Sequence, residues 1–94
     1  MRNYEAIVIF YPDVEEEQRQ RVMERLQATI EAGGSIESVD EWGERKLAYL
    51  IDDYVNGYYV LYTFSANPEI LTEFDRIAKI NESIMRHMVV KLDD

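Results

Sequence analysis

Residues 42 to 49 read Trp-Gly-Glu-Arg-Lys-Leu-Ala-Tyr, setting two adjacent cations, Arg45 and Lys46, between the aromatic rings of Trp42 and Tyr49. That grouping suits RNA. Flat rings accept a base or a sugar, Arg grips phosphate through a planar fork, and Lys acts as a point charge. The same residues also suit a strand with no ligand, because aromatics pack well on a pleated sheet and exposed cations keep an edge strand from mispairing. Nineteen acidic residues against ten basic ones leave a net charge of -9. Indiscriminate nucleic-acid binding draws its affinity from a basic face, so any RNA contact here must rest on local patches. Two further segments qualify, Arg2 to Tyr4 and Arg86 to Lys91, the second with Met88 inside it.

Other chemistries find little support. His87 is the only histidine, and no serine stands in a Gly-x-Ser-x-Gly setting. The chain has no cysteine, which excludes disulfides, thiolate metal sites and cysteine nucleophiles. Asp40 and Glu41 are neighbours on a strand and point to opposite faces, while Asp52-Asp53 reads as a turn, so neither pair converges on a metal. Gly33-Gly34 follows a helix instead of a strand and reads as a C-cap, not as a phosphate loop. Asn81-Glu82-Ser83 matches a glycosylation acceptor without a secretory signal before it and reads as chance. The expectation is a non-enzymatic protein without cofactor, metal or small-molecule substrate. No apolar run approaches the roughly 20 residues needed to cross a bilayer, so a soluble cytoplasmic protein without membrane contact is predicted.

The elements that must position these residues follow from periodicity. Residues 2 to 11 alternate as two sets, Tyr4, Ala6, Val8 and Phe10 on one face and Asn3, Glu5, Ile7 and Ile9 on the other, which predicts a largely buried strand. Asp13 is placed as the N-cap of a first helix with Glu15, Glu16 and Glu17 in its opening turn. Val22, Leu26 and Ile30 form its apolar stripe, Met23 lies beside them, Arg19, Arg21, Glu24 and Arg25 face outward, and Gly33-Gly34 ends it. A long second strand runs from Ser35 to Ile51, with Gly43 marking a bulge or twist. A turn is read across Asp52 to Gly57, leading into the strand Tyr58 to Phe64. Asn67-Pro68 opens a second helix that buries Ile70, Phe74 and Ile77, and Ile84 to Leu92 returns to strand. All 94 residues fit one domain.

The order βαββαβ predicts a ferredoxin-like α+β sandwich: a four-stranded antiparallel sheet carrying both helices on one face, with the first strand central between the third and the fourth. The other face is left open. Four segments in this order, Met-Arg-Asn-Tyr-Glu at the start, Trp42 to Tyr49, Gly57-Tyr-Tyr-Val, and Ile84 to Lys91, closely resemble the bacterial small-subunit ribosomal protein S6 family over nearly the whole chain. Membership implies a non-enzymatic ribosomal protein that pairs with ribosomal protein S18 and binds the central domain of 16S rRNA. Carried over by position, the resemblance makes Arg2, Tyr4, Arg86, Met88 and Lys91 RNA-surface candidates. It makes Trp42, Arg45, Lys46, Leu47 and Tyr49 the seat of partner contact, with Arg45, Lys46 and Tyr49 able to touch RNA as well.

Two departures from the family pattern matter. Glu44 stands where a basic residue is common and lowers the local positive potential. Leu50 stands where proline is common, and its free backbone N–H lets the strand pair further along. A rival reading is a homo-oligomeric ferredoxin-like regulatory or small-ligand module, burying Ile7, Ile9 and the many tyrosines between two open faces. An acylphosphatase-like enzyme of the same architecture fails for want of a phosphate loop.

Overall fold

Tyr4, Ala6, Val8 and Phe10 alternate along strand β1 (Arg2–Phe10), and all four are buried. A computed structural model describes residues 1–92 and places β1 inside the sheet, paired antiparallel with two neighbours. The elements follow as α1 (Glu16–Glu31), β2 (Gly34–Ile51), β3 (Tyr54–Ala66), α2 (Pro68–Ile80) and β4 (Ile84–Lys91), and the strand order is β2-β3-β1-β4. This is the ferredoxin-like α+β fold. Side chains alternate across a strand, so the register Ala6↔Tyr62 and Ala6↔Val89 collects one apolar layer from three strands on a single face. Against that layer α1 packs Val22, Met23, Leu26 and Ile30, and α2 packs Phe74, Ile77 and Ala78. Each large side chain fully buried there stabilises the fold by about 1.5 to 3 kcal/mol.

Several local expectations are corrected. Asp13 does not cap α1, whose N-cap is Glu15 without a side-chain hydrogen bond. Asp13 instead accepts a hydrogen bond from the Tyr54 hydroxyl at 3.0 Å. Arg19 does not face outward: its guanidinium lies 3.7 Å from the centre of the Tyr58 ring, a cation–π contact between α1 and β3. The hairpin turn is Asp52-Asp53 alone, with φ of 49° and 68°. Two consecutive left-handed residues define the primed turn whose twist matches a hairpin, and Asp tolerates that conformation. Asn56-Gly57 therefore lies inside β3. Gly43 has φ of 85° at a register shift between Glu41 and Gly43, the bulge expected there.

The Gly33-Gly34 pair is not a left-handed cap. Ala32, in right-handed helical conformation, takes the C-cap position of α1. The second glycine is required by close approach: a Cβ on Gly34 would sit 2.0 Å from the carbonyl oxygen of Ser65 and 2.7 Å from Ala66. Backbone cannot yield as a flexible side chain can. Gly34→Ala is expected to lower stability by about 1 to 3 kcal/mol through overpacking, measured as a reduced urea midpoint; an unchanged midpoint would contradict the crowding.

The open sheet face and the hairpin arm as a candidate interface

Ile7 and Ile9 of β1 face away from the helices, and what surrounds them is set by register. Ile7 lies opposite Met88 and Leu61, and Ile9 opposite Arg86 and Tyr59. Beyond Lys46↔Asn56 the β2–β3 ladder breaks and resumes at Ile51↔Tyr54, so Leu47 to Leu50 stand against Val55 alone. The ladder does run past Leu50 to Ile51, but Leu50 itself has no partner in it, and its side chain is exposed in that bulge. The bulged segment curls over the open face. There Leu47, Tyr49 and Ile51 meet Ile7, Ile9, Tyr59, Arg86 and Met88 around a groove of about 260 Å³. Gly57 makes the floor possible, because a Cβ there would meet Ile9 Cγ2 at 2.4 Å and Leu47 Cδ2 at 3.3 Å.

The arm is held at its tip by a crossed pair of hydrogen bonds. Tyr11, just after β1, donates to Asp52 Oδ2 at 2.7 Å, while Tyr54 donates to Asp13, and the two rings lie 5.2 Å apart. Each carboxylate holds its tyrosine in the protonated form and pushes that hydroxyl above its ordinary value. At the base, Trp42 stacks on Tyr59 at 6.1 Å with the rings 14° from parallel, and its Nε1 donates to Asp40 at 3.2 Å. Arg45 Nε donates to the Trp42 carbonyl at 3.4 Å. Glu44 faces away from this group: it sits opposite Tyr58 on the helix side and accepts from Asn56 at 3.1 Å. Its charge is therefore separated from Arg45 by the sheet.

The candidate residues do not form one surface. Tyr4 is corrected: it is 3% exposed, with its ring 5.7 Å from Phe64 in the helix-facing core, so it cannot meet RNA without unfolding β1. Arg86 and Met88 lie exposed on the open face, and Arg45, opposite Gly57, shares it. Arg2 and Lys91, opposite Ala66 and Tyr4, lie exposed on the other side at one end of the sheet. Lys46, opposite Asn56, also leaves the open face. Of the partner-contact candidates, Trp42 and Tyr49 are 39% and 62% exposed, whereas Leu47, at 7%, forms part of the groove.

His87 lies on the helix side of β4, 2.6 Å from Asp75 Oδ1 and beside the Phe74 ring. The hydrogen bond from His87, then that from Lys79, holds the Asp75 carboxyl below its usual range. This pair ties α2 to β4. Among the described residues no group of three or more His, Asp or Glu is placed to hold a metal ion, and no helix is long and apolar enough to cross a membrane.

These features define a ferredoxin-like α+β domain with one bare sheet face and a hairpin arm folded across it. The family model described as ribosomal protein S6 matches residues 3–91. The small ribosomal subunit protein bS6 of Syntrophomonas wolfei is 47% identical over 96 residues, covering 100% of this chain and 99% of that protein. The bS6 of Thermoanaerobacter pseudethanolicus is 43% identical over 95 residues, covering both chains in full. A crystal structure of the 30S ribosomal protein S6 of Thermotoga maritima superposes with a TM-score of 0.90 at 31% identity, covering 97% of this chain and 87% of that one. The chain belongs to the ribosomal protein S6 family, whose members are structural proteins of the small ribosomal subunit.

A pH dependence follows from the tip clamp. A tyrosine whose folded pKa is raised contributes stability that is fully present below its unfolded value near 10 and is lost as pH rises through the folded value. The wild-type urea midpoint is expected to fall above about pH 10, and the double variant Tyr11→Phe, Tyr54→Phe to start lower and fall less steeply. Parallel curves for the two proteins would show that the clamp does not couple to folding.

Proposed function

We propose that this chain is a non-catalytic structural component of the small subunit in the cytoplasmic ribosome, binding the central domain of 16S rRNA together with ribosomal protein S18. The full-length match to the S6 family carries this reading. The physics of the surface supports the need for a partner. A net charge of -9 opposes counterion-driven binding, and the candidate cations are divided between two sides of the sheet. On this reading Arg86, Met88 and Arg45 meet RNA from the open face, Arg2 and Lys91 from the sheet end, and Lys46 from the arm. Trp42, Leu47 and Tyr49 take the protein partner, with Arg45 and Lys46 shared between the two. The contacts position the RNA backbone, and no reaction is catalysed.

Gel-shift titration of a central-domain 16S fragment tests this: weak binding by the chain alone and much tighter binding with S18 are expected. Equal affinity in both conditions, or a stable homodimer that ignores the RNA, would sink the proposal. In the complex, Arg86→Ala and Lys91→Ala are each expected to weaken binding and to reduce the salt slope by about 1. An unchanged slope in either would remove that residue from the phosphate contacts.

A further inference from the structure

Arg86 is the open-face cation on β4, and it is already engaged: its Nη1 donates to the hydroxyl of Tyr49, which reaches it from the hairpin arm. In the sheet order β2-β3-β1-β4 these residues belong to opposite edge strands, so the contact spans the whole open face. We infer that the Tyr49–Arg86 contact is a latch that closes the groove and weakens the grip of Arg86 on phosphate until a protein partner moves the arm. The inference rests on the proposed function for the identity of the partner and the RNA.

Three observations on the arm carry it. Leu47 is anchored in the groove and Ile51 is fixed in the ladder next to the clamped tip, so the segment between them is tethered at both ends. Ala48 to Leu50 have no ladder partners of their own, which leaves their backbone free to move without breaking the sheet. Tyr49 is 62% exposed, so the latch is held by its hydrogen bond more than by packing and opens at small cost. The bond to Tyr49 takes one of the five guanidinium N–H donors and ties the group to the arm, so fewer donors are free to grip a phosphate in the bidentate geometry. A partner that seats against the exposed Tyr49 displaces the hydroxyl and frees the whole guanidinium for RNA. Coupling of this kind is reciprocal: bound RNA that captures Arg86 also favours the open arm and hence the partner.

Tyr49→Phe removes the hydroxyl and leaves the ring. Titration of the central-domain fragment at low ionic strength is expected to show the isolated variant binding about threefold to tenfold tighter than wild type. With S18 present the two should bind equally, and Arg86→Ala should lose much more affinity with S18 than without it. Equal affinity of wild type and variant in isolation overturns the latch, as does a gain that persists undiminished with S18. The Arg86 side-chain NMR signals provide a readout without RNA: they should shift in Tyr49→Phe and shift in the same direction when S18 is added to wild type. Unmoved signals overturn the latch. Failure of wild type with S18 to bind the RNA, while these signals still shift, overturns the proposed function and leaves the latch standing.

Discussion

The double pairing of β1 is the constraint on which the rest of the molecule depends. With β3 on one side and β4 on the other, the strand cannot slip by one residue without sending Tyr4, Ala6, Val8 and Phe10 to the open face. That parity decides the fate of every neighbour. It puts Tyr62, Phe64, His87 and Val89 under the helices, and it puts Tyr59, Arg86 and Met88 where no helix covers them. The core and the candidate interface are thus two sides of one hydrogen-bonded ladder.

The second determinant is the excess length of the β2–β3 hairpin, which continues past the end of β1. A two-stranded ribbon alone is marginal in water. Here it gains support from below through Gly57, where the missing side chain lets Ile9 and Leu47 pack together, and from the side through the Tyr11–Asp52 and Tyr54–Asp13 pairs. The arm is consequently part of the domain and not a loose appendage. Ala48 to Leu50, in its bulged middle, lie outside these supports.

The architecture was legible in the sequence because it rests on periodicity and punctuation: the alternation of residues 2 to 11, the stripe Val22, Leu26, Ile30, and Asn67-Pro68 each signal locally. The candidate site was less so. Tyr4 belongs by its own alternation to the buried set, and reading it as an RNA contact set position in the family pattern above that parity. Arg86 and Lys91 read as one basic segment, yet their separation by five residues on a strand sends them to opposite faces. The Tyr11–Asp52 and Arg86–Tyr49 contacts join residues far apart in the chain and leave no local trace. The Asp52-Asp53 turn did carry a signal, since Asp accepts the left-handed conformation, but Asn56-Gly57 four residues later carried a stronger one and drew the turn to itself.

The position of β1 also sets the order in which the molecule can form. Its two neighbours both come later in the chain, β4 last among the described elements. During synthesis, β1 and α1 leave the ribosome as segments with apolar surface and no sheet to join, and the ladder closes only when β4 emerges. Local helix formation cannot substitute for that pairing, so folding waits on contacts of long sequence separation, which form more slowly than local ones. A growing chain that stalls before β4 leaves Ile7 and Ile9 beside an unpaired strand edge, a surface open to edge-to-edge aggregation.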